Sequence, residues 1–434
     1  MRRVAVIGSG ISGLSVAHAL AGAARVTLFE AGDHFGGHTH TVDLTLDGVT
    51  HGVDTGFLVL NERTYPNLLR LFEHLGVAIA KSEMSFSAQV PDIGLEWSGS
   101  NLASVFAQRR NLLRPRFWGM LADLLRFNRL ATGIARGDRL DQLDEPIGDF
   151  LARHRFGAAF RDWYFLPMIG CIWSCPVDQM LRFPVATMLR FCHNHGLLQV
   201  ANRPQWYTVR GGARSYVRKM LQTLADTRLN TPVRQVRRPR PGSADAAVLV
   251  STDQGTERFD ELVIASHSDQ ALALLADASA AETGVLGAIR YQPNRAVLHT
   301  DTALLPKRRA AWASWNYERA SDGPHAQAAV CLHYLLNRLQ PLPFTTPVIV
   351  SLNPVREPRA GTVHAAFDYA HPVFDVAAIR AQQRVPELQG QRHTWYCGAW
   401  TRYGFHEDGL LSGLAVADAL RAAWAAAAPL KEAA

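Results

Sequence analysis

The sequence predicts an α/β fold, an open parallel sheet of the nucleotide-binding, doubly wound type, with a second, α+β unit inserted into it. Three observations predict this. The chain opens on an apolar strand, a glycine turn and a helix; a second apolar strand ends in an acid; and a second glycine turn runs into a helix near the other end of the chain. At 434 residues there is room for two such units. Nearly half the residues are apolar and no stretch is of low complexity, so a large core is expected.

The first element is "RRVAVIGSGISGLSVAHALA", in which Val4–Ile7 reads as a short buried strand. Gly8, Gly10 and Gly13 follow with G-x-G-x-x-G spacing. The first makes the tight turn, the second lets a pyrophosphate approach the backbone, and the third lets the helix pack on the strand. Ile11 and Ser12 open that helix, whose free amides face the phosphate charge. The second strand, "RVTLFE", ends at Glu30, seventeen residues beyond Gly13, with Ala31 next to it. A carboxylate there accepts hydrogen bonds from a ribose. The glycines alone are weak evidence, but strand, turn, helix, strand and acid in this order are strong. The two arginines at the start would suit an export signal, but the glycine pattern occupies its would-be apolar core, so none is read.

After Glu30 the chain continues "AGDHFGGHTHTV". Here the sequence resembles the flavin-containing amine oxidase and phytoene desaturase superfamily, whose members place an acid, a spacer and Gly-Gly-Arg against the pyrophosphate of FAD. The resemblance implies a glutathione-reductase-like, two-domain FAD fold, with Gly36, Gly37, His38 and Thr39 near the pyrophosphate. His38 stands where the superfamily has arginine, so its contact requires a protonated ring or hydrogen bonds. The same resemblance covers "GVDTGFLVLNERTYPNLLRLFEHLGV", with Asp54, Thr55 and Gly56 passing the flavin, and "YTVRGGARSYVRKML", with Gly211 and Gly212 ahead of a helix. Val233, in the strand that follows, falls where the pattern lends its backbone to the adenine.

The closing stretch decides between NAD and FAD. A nicotinamide enzyme needs nothing special there, whereas in this superfamily a last strand and helix return to hold the flavin. "HTWYCGAW" fits the strand, with Gly398 beside the cofactor. "GFHEDGLLSGLAVADAL" fits the helix, with Asp408, Gly409 and Leu410 in its first turns and its amides toward the flavin. No cysteine stands where relatives attach flavin covalently, so non-covalent FAD is implied. Residues 1–94, 201–267 and 386–434 are expected to form the FAD domain, 95–200 a helical substrate segment and 268–385 a substrate sheet.

"DTGFLVLNERTYPNL", "AWASWNY" and "GFHEDGLLSGLAVA" further resemble a bacterial group of NAD/FAD-binding flavoproteins with members that work on lipids, one of them implicated in furan fatty acid synthesis. This implies an oxidoreductase taking hydride from a lipophilic substrate, by dehydrogenation or a double-bond shift in an unsaturated or methylated acyl chain. An amine oxidase and a flavin-holding accessory protein at a membrane are the rivals, with a plain NAD enzyme last. Amine oxidases of the superfamily use a lysine near the flavin, and here Lys307 alone is available in the substrate half, within a basic "PKRR" run; Phe405 replaces the usual tyrosine of the final helix. His406 and Glu407 are the candidates to touch the flavin edge or shuttle a proton, against the alternative that this first turn only caps and packs the helix. Tyr65, with Asn61, either bonds substrate or flavin or sets a helix start.

The formal charge of +7 is spread along the chain, and no nucleic-acid module is recognisable. Five cysteines, none at metal-finger spacing, read as reduced thiols in a cytoplasmic protein with no metal site; Cys171 and Cys175 read as core. Residues 109–130 predict a basic amphipathic helix that either packs on the core or lies on an anionic membrane, at its inner face. Oligomeric state is not legible.

Overall fold

Five parallel strands make the frame, in the order Asp226–Arg228, Arg25–Phe29, Arg3–Ile7, Glu261–Ile264 and Thr394–Tyr396. The computed structural model that places them describes residues 1–137, 143, 145–173, 177–199, 203–240, 246–320 and 330–427. The three inner strands are nearly continuous apolar runs, Val4–Ile7 among them, because helices or a second sheet cover both faces. On one face the helix Ile11–Leu20 packs against the long helix His406–Ala426. Glycine permits this closeness: a Cβ at Gly413 would lie 2.4 Å from the Ser12 carbonyl oxygen, and one at Gly409 2.7 Å from Ile11.

The other face carries the antiparallel sheet Val233–Arg237, Val248–Thr252, Gly255–Phe259 and the helices Ser268–Leu274, Ala280–Leu286 and Val376–Arg384. Arg238 is enclosed here with its guanidinium on Asp277 and Glu282, while the Tyr396 hydroxyl donates to Glu282 at 2.6 Å. This network ties the helix Ala280–Leu286 to the last parallel strand.

The inserted unit is a seven-stranded sheet, in the order Val363–Val373, Arg290–His299, Ile349–Leu352, Cys331–Leu335, Trp315–Glu318, Phe86–Val90, Leu95–Ser98. Its limits differ from those the sequence suggested. Phe86–Val90 joins it ahead of residue 94, while the helices after 268 and the helix Val376–Arg384 pack on the parallel sheet. Strand pairing and core contact, not position along the chain, decide the membership. Short helices between 102 and 194 cover one side of this sheet in a large apolar cluster.

The helix expected over 109–130 begins later. Residues Arg109–Leu113 form a 3₁₀ turn, Arg114 is extended (φ −103°, ψ 105°), and the helix runs Pro115–Arg136. Proline excludes the α conformation at the residue before it and suits the first helical position. Cys171, Cys192, Cys331 and Cys397 are free and buried, and Cys175 lies outside the described residues. Among the described residues no helix is long and apolar enough to cross a membrane.

Candidate active site

One cavity of about 1240 Å³ runs from the glycine turn of the parallel sheet to the helices of the inserted unit. That exceeds the roughly 300–1,000 Å³ of a pocket for one drug-sized ligand, so a dinucleotide and a second molecule can share it.

Its first end lies at the carboxyl ends of the parallel strands, where open sheets of this kind hold nucleotides. Gly8, Gly10, Ile11 and Ser12 line it from the first turn, Glu30 and Ala31 from the second strand, and Gly36, Gly37 and His38 from the loop beyond. Gly8 has φ +98°, a left-handed conformation that favours glycine. Gly13 does not line the cavity; a Cβ there would fall 1.9 Å from the Gly8 carbonyl oxygen, so it serves the packing of helix on turn. The Glu30 carboxylate accepts from the Ser9 amide (3.0 Å), the Ser9 hydroxyl (2.5 Å) and the Gly32 amide (2.8 Å), which fixes it at the cavity wall. Val233 and Gly398 also line the wall.

The backbone cradle, the acid at the strand end and the open space above Gly10 fit FAD. So does His38, whose Nε2 is buried with no hydrogen-bond partner. Desolvation and the neighbouring His267 and His34 push its pKa down to about 4, so the ring is neutral here and acts as a hydrogen-bonding group, not as the standing cation that arginine would be. His267 and His371, with ring centroids 6.1 and 5.2 Å from it, line the cavity too. The sequence reading missed both. His267 carried a signal, since it follows the strand Glu261–Ile264 at the ligand end of the sheet; His371 sits on a long strand and carried none.

Midway, His406 and Tyr65 line the cavity as expected, with Gly56 and Phe57 beside them. His406 stacks on Phe57 with centroids 3.8 Å apart, and its Nε2 bonds the Tyr216 hydroxyl (2.6 Å) and Thr39 Oγ1 (3.1 Å). Its Nδ1 has no protein partner among the described residues, and desolvation pushes its pKa down to about 3. Tyr65 is buried and held protonated by desolvation.

Several candidates serve the scaffold instead of the cavity wall. Glu407 turns away and caps the helix Pro66–Leu75, accepting from the Asn67 amide (2.9 Å), its Nδ2 (2.6 Å) and the Leu68 amide (3.0 Å). Asp408 caps its own helix, accepting from the Phe405 amide at 3.0 Å, while burial pushes its pKa up to about 6. Gly409 and Leu410 pack on the first helix or in the core behind it. Asp54 is buried and accepts from Thr41, Gln340 and the Ala213 amide, bracing the Gly211–Gly212 turn against the hairpin Thr41–Asp54. Thr55 bonds Tyr369 and the His40 carbonyl, Thr39 bonds Tyr216, and Asn61 caps the turn before the helix at Pro66. Each belongs to a loop that passes the site, and spacing could place the loop but not the direction of its side chain.

The far end is apolar and aromatic, built from Trp97, Tyr164, Phe191, Trp315, Tyr334 and Phe405. Trp315 Nε1 and Asn128 Oδ1 are buried there without partners. Among the described residues Arg203 is the one arginine on the wall, Glu30 the one acid, and no lysine reaches it; the Lys307 amide instead donates to Glu96. Although no metal site was expected, Glu318, Cys331 and His333 bring possible ligand atoms within 4.8 Å of one another in the substrate sheet. These groups satisfy one another: His333 pairs with Glu318 at 3.1 Å and with Ser351 at 2.6 Å.

Set beside known proteins, the sequence matches the model of the flavin containing amine oxidoreductase family over residues 11–313. No curated protein matches it in sequence. Among solved structures it is similar to a protein assigned as a protoporphyrinogen oxidase from Exiguobacterium (18% identity, TM-score 0.68, covering 97% of this chain and 99% of that one). It is similar also to a fatty acid isomerase from P. acnes that produces CLA (17%, 0.65, 97% and 98%) and to cyclohexylamine oxidase from Brevibacterium oxydans (15%, 0.62, 97% and 99%). At these identities the likeness is one of fold.

Proposed function

This chain belongs to the flavin-containing amine oxidoreductase family and is an FAD-dependent flavoenzyme, and from that premise we propose that it takes a hydride from a lipophilic substrate, most plainly an unsaturated or methylated fatty acyl chain, either dehydrogenating it or shifting a double bond. The observation that carries the proposal is the far half of the cavity. It is a long aromatic and aliphatic chamber, continuous with the nucleotide cradle, whose described wall has no lysine and no acid beyond Glu30. A protonated amine would find no carboxylate there to offset its desolvation, whereas a hydrocarbon chain needs none.

When bound, FAD supplies the two-electron acceptor for hydride. The chain supplies the rest. Gly8, Gly10, Gly36 and Gly37 give backbone room for the pyrophosphate, and Glu30 accepts from ribose hydroxyls. Trp97, Phe191, Trp315 and Phe405 exclude water and hold the acyl chain in place by contact. Arg203 is a cation within reach of an acidic head group. His406 is a poor base at neutral pH because it is held neutral by desolvation. That suits a C–H bond broken by hydride loss better than an ammonium group that must first be deprotonated.

Anaerobic titration of the flavin absorbance separates the readings. Bleaching by unsaturated acyl lipid and not by a panel of amines is the expected result. Bleaching by amines alone would overturn it. With neither, product analysis of the lipid decides between a double-bond shift, which leaves no net reduction, and no reaction, which sinks the proposal.

A further inference from the structure

Ten large apolar side chains stand out as exposed among the described residues, and five of them lie within one stretch: Leu102, Leu112, Leu113, Trp118 and Leu125. Leu113 is 86% exposed and Leu102 79%. A sixth, Ile93, is joined to them through its carbonyl, which accepts from Arg114 at 3.2 Å. Single exposed leucines are ordinary, but a contiguous set marks a surface that meets something apolar.

The same set is the rim of the cavity. Leu102, Trp118 and Leu125 line its opening together with Val105, Phe106 and Leu121. Around it the charge is one-sided: residues 99–137 contain seven arginines and one acid, Asp123. Asp123 is taken by Arg126. Arg110 and Arg114 bond the carbonyls of Gly94 and Ile93, and Arg116 lies over the Trp163 ring, so their positive charge is anchored without being neutralised. Arg109 and Arg129 are exposed.

The geometry points to this rim as a docking surface for the face of an anionic lipid bilayer, with the apolar side chains entering the acyl region and the arginines meeting the head groups. A second copy of the chain is a poorer occupant, because a two-fold contact here would set arginines against arginines. Docked in this way, the cavity opens onto the acyl layer, and a lipophilic substrate passes from leaflet to chamber without crossing water. That last step rests on the substrate reading above; the docking does not.

The test is co-sedimentation of the full-length, FAD-loaded chain with vesicles of phosphatidylcholine, alone or mixed with phosphatidylglycerol. Binding to the mixed vesicles, weakened by salt, is expected. Leu112→Glu and Leu113→Glu, neither of which lines the cavity, should each lower partitioning roughly tenfold or more while leaving the flavin spectrum and the thermal midpoint unchanged. A wild-type protein that stays in solution with both vesicle types overturns the proposal. So does equal binding by the leucine variants, or a dimer in solution that the variants dissociate. Because sedimentation requires no turnover, a wrong substrate leaves its outcome untouched, while a wrong docking surface leaves flavin bleaching by dispersed lipid untouched.

Discussion

At the nucleotide end of the cavity the wall is largely backbone, from Gly8, Gly10, Gly36 and Gly37, backed by a carboxylate pinned through three hydrogen bonds. At the far end it is side chain, with Trp97, Phe191, Trp315 and Tyr334 arriving from separate helices and strands. The first end accommodates one defined molecule, and its tolerance for change is small. The second is defined by shape and apolarity, so one residue there can change and the chamber persist. Five changes put this contrast under strain.

The largest effect is expected behind the nucleotide end. Arg238→Met strands Glu282 and Asp277 without their cation, and breaking a buried ion pair by removing one partner costs roughly 3–5 kcal/mol. Urea unfolding of the flavin-free protein should show it.

Next comes acidity. His38, His371 and His406 are held to pKa values of about 4, 3 and 3, below the ordinary 6.5. The unfolded chain therefore takes up protons that the folded one refuses, and stability is lost as pH falls from 6.5 toward 4. Each ring contributes at most about 1.4 kcal/mol per pH unit. His38→Gln should flatten the fall of the thermal midpoint over that window; an unchanged slope would mean that the cavity does not keep His38 neutral. Asp54 and Asp408, both raised to about 6, act in the opposite sense, since their folded forms lose stability as pH rises through 4 to 6.

Gly10→Val sharpens the comparison most directly. Gly10 has φ −60° and ψ 172°, open to any residue, and a Cβ there meets no protein atom within 4 Å. The fold should stand while FAD affinity drops roughly ten- to hundredfold, the ~1–3 kcal/mol of an overfilled contact, as read by flavin fluorescence on titration. At the far end, Trp315→Phe removes a donor that has no protein partner. Flavin retention should be unchanged and KM should rise about threefold to tenfold, from ~0.5–1.5 kcal/mol for one hydrogen bond. Lys307→Met should do least, leaving the rate of flavin reduction unaltered; a collapse of that rate would restore the amine reading.

The contrast also explains what was legible in the sequence. Gly8, Gly10 and Glu30 were readable because a dinucleotide cradle constrains backbone, and constrained backbone leaves glycine and an acid at fixed spacing. Glu407 and Asp54 were misplaced for the same reason inverted: their loops were correctly brought to the site, but the capping demands of the helix at Pro66 and the turn at Gly212 drew their carboxylates elsewhere. The substrate chamber was barely legible. Trp315 reaches it through pairing with Phe86 and Tyr334, residues far from it in sequence, and no local pattern announces a wall assembled from such distances. Helix Pro115–Arg136 lies between these cases, its amphipathic pattern readable and its start fixed by Pro115.

The close seat of Gly409 and Gly413 on Ser12 has a consequence for how the protein is made. The first strand pairs with residues some 260 positions later, and the first helix is covered only by the helix that begins at His406. On the ribosome, the glycine turn emerges early and waits, its neighbours not yet synthesised. A nascent chain stopped short of residue 406 can build much of the inserted unit but lacks the element that closes the cradle. Cofactor loading is therefore a late event in the life of the polypeptide, and flavin supply acts on the finished chain more than on the growing one.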